Sequence, residues 1–240
     1  MGYLSRNDLE KIATCVFNGY KRLPRFVGLQ VDRVDPEILA CELCGFHVDY
    51  YHLSRDKQIL GMTAFRELEV EVYNDSGQPF FHCLDGRSIL IEADLKNDPA
   101  QCGRHNFTLA HETAHQILAN LFQPNKSRII CYKGRSPRYS IHDWDEWQAD
   151  NLASALLLPI ELIYRALRRF GLEHGIGMLN RVYRPKEYTR FCDMAEYLGT
   201  SKQAMAIRLK RLGLLKKEHL RNPYAPADVE MHENEIEESE

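Results

Sequence analysis

The sequence predicts an α+β fold: a small, mostly antiparallel sheet with helices packed on it, followed by an all-helical module. Three observations predict it. Segments of strand character cluster between residues 47 and 92, helical periodicity takes over after Asp98-Pro99, and the charge changes sign near residue 164. Strands first and helices later is the α+β pattern, not the alternation of a parallel α/β sheet. At 240 residues the chain is one large domain or two small ones and buries a sizeable core. Hydrophobic residues at 44% and charged residues at 27% lie near the globular average. That excludes a wholly disordered chain, a collagen-like fibre and a coiled-coil rod.

Taken in order, residues 8–20 form an amphipathic helix, with Ile12, Cys15, Val16 and Tyr20 at helical spacing. Asp35-Pro36 supplies a cap and a first-turn proline for a second helix over 36–44. Residues 47–53 and 68–73 read as strands. The cluster Asn74-Asp75-Ser76-Gly77 then turns the chain back through 80–84 as a hairpin. Asp85-Gly86 turns again into a strand over 88–92, and the remainder is almost wholly helical.

Net charge divides the chain further. Residues 1–163 carry 17 Lys+Arg against 22 Asp+Glu, residues 164–222 carry 14 against 5, and residues 223–240 carry none against 7. The expected divisions are a domain over 1–165, a basic helical module over 166–222 and an acidic, disordered tail over 223–240. That tail has one isolated Val, Met and Ile among its acids, too little to bury a core. The longest nearly apolar run, 152–163, is interrupted by Ser154, Pro159 and Glu161 and is too short to span a bilayer. No signal-peptide core follows Met1, so a cytoplasmic protein without membrane contact is expected. Seven scattered cysteines agree. Cys41 and Cys44 have ligand spacing, but no second Cys-x-x-Cys completes a zinc site, so reduced thiols are expected there.

The chemistry-bearing motif is His111-Glu112-Thr113-Ala114-His115, within a helix over 107–121. Histidines four residues apart share a helical face and can reach one metal ion, while Glu112 stands beside them as a base for a water on that ion. Chance occurrence of the pattern is a real risk, so a third ligand has to decide. The downstream helix over 145–159 carries Glu146 and Asp150 along the edge of an apolar stripe of Ala149, Leu152, Ala153, Leu156 and Leu157. Two carboxylates directed at a core are costly unless a cation meets them. Zinc ligated by Glu146, with Asp150 accepting the free ring N–H of a ligating histidine, resolves that conflict. The alternative is an outward-facing charge pair.

Residues 104–115 with Phe107-Thr108-Leu109-Ala110, then Glu146-x-x-Ala149-Asp150-x-Leu152-Ala153 and Leu156-Leu157-Leu158-Pro159, resemble the ImmA/IrrE family of metallopeptidases. The strand Ile89-Leu90-Ile91-Glu92 also fits, and the resemblance covers roughly residues 10–165. It implies zincin-like active-site helices, one Zn2+ held by His111, His115 and Glu146, and Glu112 as the catalytic base. It further implies cleavage of a particular regulatory protein, typically a helix-turn-helix repressor of a phage, mobile element or stress operon. Gln148 stands where many relatives have Glu. Candidates for stabilising the oxyanion are Tyr132, Tyr139 and His142, in the loop between the two zinc-bearing helices, which could also gate the cleft.

Residues 189–213 look like a helix-turn-helix, with Ala195 for close contact, Gly199 for the turn and Ser201 as a cap. Lys202, Gln203, Arg208 and Arg211 are the candidate DNA contacts. Thr200 at a normally apolar position departs from the DNA-reading pattern. The expected function is therefore a zinc endopeptidase, against a DNA-binding regulator or a non-cleaving antirepressor.

Overall fold

The computed structural model describes residues 4–122, 128–132 and 142–224, with 128–132 and 142–143 described by their backbone alone. Helix α1 (Arg6–Tyr20) starts two residues before its expected bound because Ser5 and Asp8 form a reciprocal capping box. The Ser5 Oγ accepts from the Asp8 N–H at 3.3 Å and Asp8 Oδ2 from the Ser5 N–H at 3.2 Å. Helix α2 (Pro36–Ile38), capped by Asp35, runs on into a π-helical turn over Leu39–Leu43.

Strands β1 (His47–Tyr51), β2 (Ile59–Ala64), β3 (Glu67–Tyr73), β4 (Pro79–Asp85) and β5 (Ser88–Glu92) follow. After α3 (Ala93–Asn97) come the long α4 (Cys102–Phe122), β6 (Arg128–Tyr132), α5 (His142–Leu157) and α6 (Ile160–Arg169). The main sheet has the order β1-β5-β2-β6; only the β1–β5 pair is parallel, so it is small and mostly antiparallel. The hairpin β3–β4 forms its own two-stranded sheet. Its turn is tied by Asn74 Oδ1, which accepts from the N–H groups of Ser76 and Gln78, and Gly77 takes φ +73°.

Three layers result. Ile89 and Ile91 of β5 point into the large core beneath α4, α5 and α1, whereas Leu90, between them, joins Met62, Val70, Val72 and Leu84 beneath the hairpin. Strand β2 is irregular in a way that matters below. Its register with β6 shifts between Ile59 and Gly61, so Leu60 joins the helix-side core and Gly61 also faces α4, while Ile59 and Met62 face the hairpin. A β-bulge of this kind aims two consecutive residues at one face.

The C-terminal module corrects an expectation: it is not all helical. Strand β7 (Ile176–Leu179) pairs in parallel with β8 (Leu215–Glu218), bracketing α7 (Pro185–Tyr197) and α8 (Lys202–Arg211). Runs of four residues, two of them lysines in β8, carry no alternation from which a strand could be read. The α7–α8 turn has the local chemistry expected: Gly199 at φ +66°, Thr200 N–H donating to the Ala195 carbonyl, and Ser201 Oγ accepting from the Ala204 N–H at 3.1 Å.

This turn sits on the start of α4. A side chain at Gly103 would meet the Ser201 nitrogen at 2.5 Å, and Asn106 Nδ2 donates to the Gly199 carbonyl at 2.7 Å. Leu9, Leu109, Leu156, Leu179, Phe191 and Leu209 belong to one continuous core, which runs through the expected boundary at residue 165. Arg208, expected as a DNA contact, is instead buried, because it bridges helices. Its guanidinium pairs bidentately with Glu10 of α1, and its Nε donates to the Leu158 carbonyl at 3.1 Å. Among the described residues no helix is long and apolar enough to cross a membrane.

Candidate metal centre

Helix α4 begins at Cys102, five residues before its expected start, because Asp98 caps a 3-10 turn that runs straight into it. Its residues 108–119 are buried throughout, and α5 packs against it. His111 and His115 are one turn apart on α4, and Glu146 and Asp150 one turn apart on α5. Packing the two helices brings the two pairs face to face.

His115 Nε2 lies 3.0 Å from His111 Nε2. The two oxygens of Glu146 lie 3.2 Å from His111 Nε2 and 3.2 Å from His115 Nε2. The three groups therefore converge closely enough to share one metal ion; donors about 2.0–2.1 Å from a tetrahedral zinc would stand about 3.3–3.4 Å from one another, slightly farther apart than they are here. Two imidazoles and one carboxylate also leave a fourth position open, as catalytic zinc sites do. Burial alone would raise the Glu146 carboxyl, but hydrogen bonds from His111 and His115 outweigh it and hold the group well below the usual carboxylate range.

Asp150 completes the arrangement from behind. Its Oδ1 lies 3.1 Å from His111 Nδ1. A proton assigned to Nδ1 donates to Asp150 and leaves the Nε2 lone pair directed at Glu146 and His115. Asp150→Ala should therefore weaken zinc binding about 10–100-fold with the fold intact. Competition with a chromophoric chelator measures this, and wild-type affinity would remove Asp150 from the site.

Glu112 is fully buried beside these donors, and neither of its oxygens has a hydrogen-bond partner among the described residues. Burial pushes its carboxyl up to about 8; His111 pulls the other way, and the Glu146 carboxylate adds a smaller push. A buried carboxyl without a partner is costly in a purely structural role, and it fits a site where an ion and a water would supply one.

The bulged strand makes room for it. A Cβ on Gly61 would stand 2.8 Å from Glu112 Oε1 and 2.9 Å from both Glu112 Cγ and Thr108 Cγ2. Gly61→Ala should displace Glu112 and cost about 1–3 kcal/mol of stability through overpacking, with the candidate metal ligands undisturbed. Thermal melting with elemental analysis checks both halves of that expectation. Gln116, also fully buried, fastens α4 to the same strand: its Nε2 donates to Thr63 Oγ1 and to the Ala64 carbonyl, each at 2.7 Å. Neither Gly61 nor Gln116 carries a motif, so sequence reasoning missed both. The signal for Gly61 was a glycine inside an apolar run, which marks a bulge or a close approach.

A second donor group, His52 with Glu92 and Asp94, is already closed. Glu92 accepts from the Leu53 N–H at 2.9 Å and meets His52 Nδ1 at 2.6 Å, while Lys57 Nζ holds Asp94 at 2.5 Å. Lysine supplies the cation there. Cys41 and Cys44 carry thiols raised by burial, Cys44 to about 11, which makes them poor metal ligands. Gln148 donates to the Trp144 carbonyl and accepts from the Leu4 N–H. The side chains of Tyr132, Tyr139 and His142 lie outside the described residues; of the expected loop over 123–143, residues 128–132 instead form β6 and 142–143 open α5, and the rest lies outside the described residues.

No protein-family model matches the chain, and no curated protein matches it.

Proposed function

We propose that this chain is a zinc-dependent endopeptidase that cleaves a specific regulatory protein, a helix-turn-helix repressor being the substrate class suggested by its motif resemblance. The observation that carries the reading is the convergence of His111, His115 and Glu146 at 3.0–3.2 Å, with the buried Glu112 beside them. These three residues would hold the ion. When bound, zinc supplies Lewis acidity, bringing the pKa of water to about 7 and polarising a scissile carbonyl.

The protein's own groups supply the rest. Glu112 takes a proton from the attacking water as its oxygen bonds to the carbonyl carbon. As the C–N bond breaks, the same carboxyl gives that proton to the leaving amine, so the residue ends as it began. Burial raises the Glu112 carboxyl, and a cation held by His111, His115 and Glu146 would lower it again, giving the carboxylate that the first half of that exchange requires. Asp150 keeps His111 in one orientation throughout.

The test is direct. Purified protein should contain about one zinc per chain by elemental analysis, and His111→Ala none. Incubated in turn with the helix-turn-helix repressors of its own genome, it should cut one of them into two discrete fragments; o-phenanthroline should stop the reaction and added zinc restore it. Zinc with tight repressor binding but no fragments would replace the peptidase by a non-cleaving antirepressor. Absence of zinc would end the metal reading itself.

A further inference from the structure

The hairpin β3–β4 lies across the main sheet from the candidate metal centre, and its register fixes where its backbone groups point. Asn74 N–H donates to the Gln78 carbonyl, which makes Asn74 and Gln78 a hydrogen-bonded pair. Every second pair after them, Val72–Phe80, Val70–His82 and Leu68–Leu84, is therefore hydrogen-bonded too. The residues between turn their N–H and C=O groups away from the hairpin. On β3 this is seen directly, because Tyr73 exchanges both backbone hydrogen bonds with His52. On β4 the outward groups are the Pro79 carbonyl and the N–H and C=O of Phe81 and Cys83. Among the described residues β4 pairs with no strand but β3, so this edge is open.

The outer face beside the open edge is acidic. Glu67, Glu69 and Glu71 are exposed on it, with Glu69 opposite Cys83 and Glu71 opposite Phe81. No Lys or Arg stands on this face; Arg55 reaches only its Tyr73 end, and His47 holds Asp85 at the other. Phe81, 68% exposed, is a large apolar side chain in the middle of it. Open edges are ordinarily blunted by lysines, bulges or a cover, whereas β4 carries a proline at its first position alone.

A strand added beside β4 would lie two strand spacings, about 9–10 Å, from β3. Lys or Arg at its outer positions spans that distance across the Phe81 ring to reach Glu69 or Glu71, and the ring itself attracts the cation. Its alternate positions would stand beside Phe80, which is half-buried against the Tyr51 ring and suits an apolar neighbour. A second copy of β4 fits poorly, because it would bring its own glutamates to the same face.

We propose that the open edge of β4 docks an extended segment of a protein partner, with Lys or Arg at alternate positions and apolar residues between them, as a third strand of the hairpin. The site stands independently of the metal reading.

The experiment titrates the full chain with an acetylated seven-residue peptide of alternating Lys and Val. Hydrogen exchange of the Phe81 and Cys83 amides should slow about tenfold or more at saturation, while the Phe80 and His82 amides, already in the ladder, change little. Cys83→Pro deletes an outward N–H and spares the ladder, so it should weaken binding about 3–10-fold. Cys83→Val, which keeps the N–H, should bind as the wild type does. Glu69→Gln with Glu71→Gln should weaken binding about fivefold at low salt, and that difference should vanish at about 0.5 M NaCl. No binding at millimolar peptide, or saturation that leaves the Phe81 and Cys83 amides unprotected, would overturn the proposal. Equal affinity in the Glu69→Gln/Glu71→Gln protein would refute the basic partner. Protection of the same two amides that grows with protein concentration, without peptide, would put a second copy on the edge and overturn the proposal as well.

Discussion

Glu112→Gln should abolish most cleavage, by about 10²–10⁴-fold, while zinc content and partner binding stay at the wild-type level. The substitution preserves the side-chain outline against Gly61 and touches none of the three metal donors, so a loss of turnover alone would isolate proton transfer. The same variant has a signature that needs no substrate. In metal-free protein the Glu112 carboxyl titrates near 8 against an ordinary value of 4.5. An acid raised in this way stabilises the fold below about pH 4.5, and that contribution is lost as pH rises through about 8. Metal-free wild type should therefore lose stability relative to Glu112→Gln between pH 5 and 9, as measured by chemical denaturation at each pH. Parallel curves would show that Glu112 is not held in its uncharged form by the fold. Full biological output from the variant would mean that cleavage is not the mechanism.

Glu10→Ala, far from the candidate metal centre, should cost about 3–5 kcal/mol of stability. The asymmetry of the pair is the reason. The Arg208 side chain is 3% exposed and that of Glu10 26%, so removing the carboxylate strands a guanidinium that water cannot reach. Removing the arginine leaves a carboxylate that water can. Arg208→Met, which keeps the aliphatic packing, should therefore cost less, about 1–3 kcal/mol, chiefly from the unpaired Leu158 carbonyl. Urea denaturation of the two variants gives the order, and the reverse order would refute the burial argument.

Two helices could be read from the chain because each combines an apolar stripe with a polar pair at the same period. His111 and His115 share a turn of α4, Glu146 and Asp150 share a turn of α5, and the structure brings all four together. What could not be read was whatever depended on a distant partner. Strand β2 is covered on both faces, so Ile59–Ala64 shows no alternation, and Gly61 within it argues against a strand. Arg208 shares its helix with exposed Lys210 and Arg211 and looks like them in one dimension. Only the arrival of Glu10, 198 residues away, sets it apart. The first turn of α4 went unread because Arg104, His105 and Asn106 are polar: His105 meets Tyr50, and Asn106 meets the α7–α8 turn, instead of a core.

The span between Glu10 and Arg208 also orders events during synthesis. Helix α1 precedes α4 and α5 in the chain and packs against α5, so both helices of the candidate metal centre are made before its counter-ion. Until Arg208 emerges, Glu10 lacks its bidentate partner and the Leu158 carbonyl its donor. The Gly103 surface likewise waits for the turn that covers it. A growing chain thus carries all the metal donors before it has its last clamps. The candidate metal centre is complete in sequence before the helix that clamps α1 has been made.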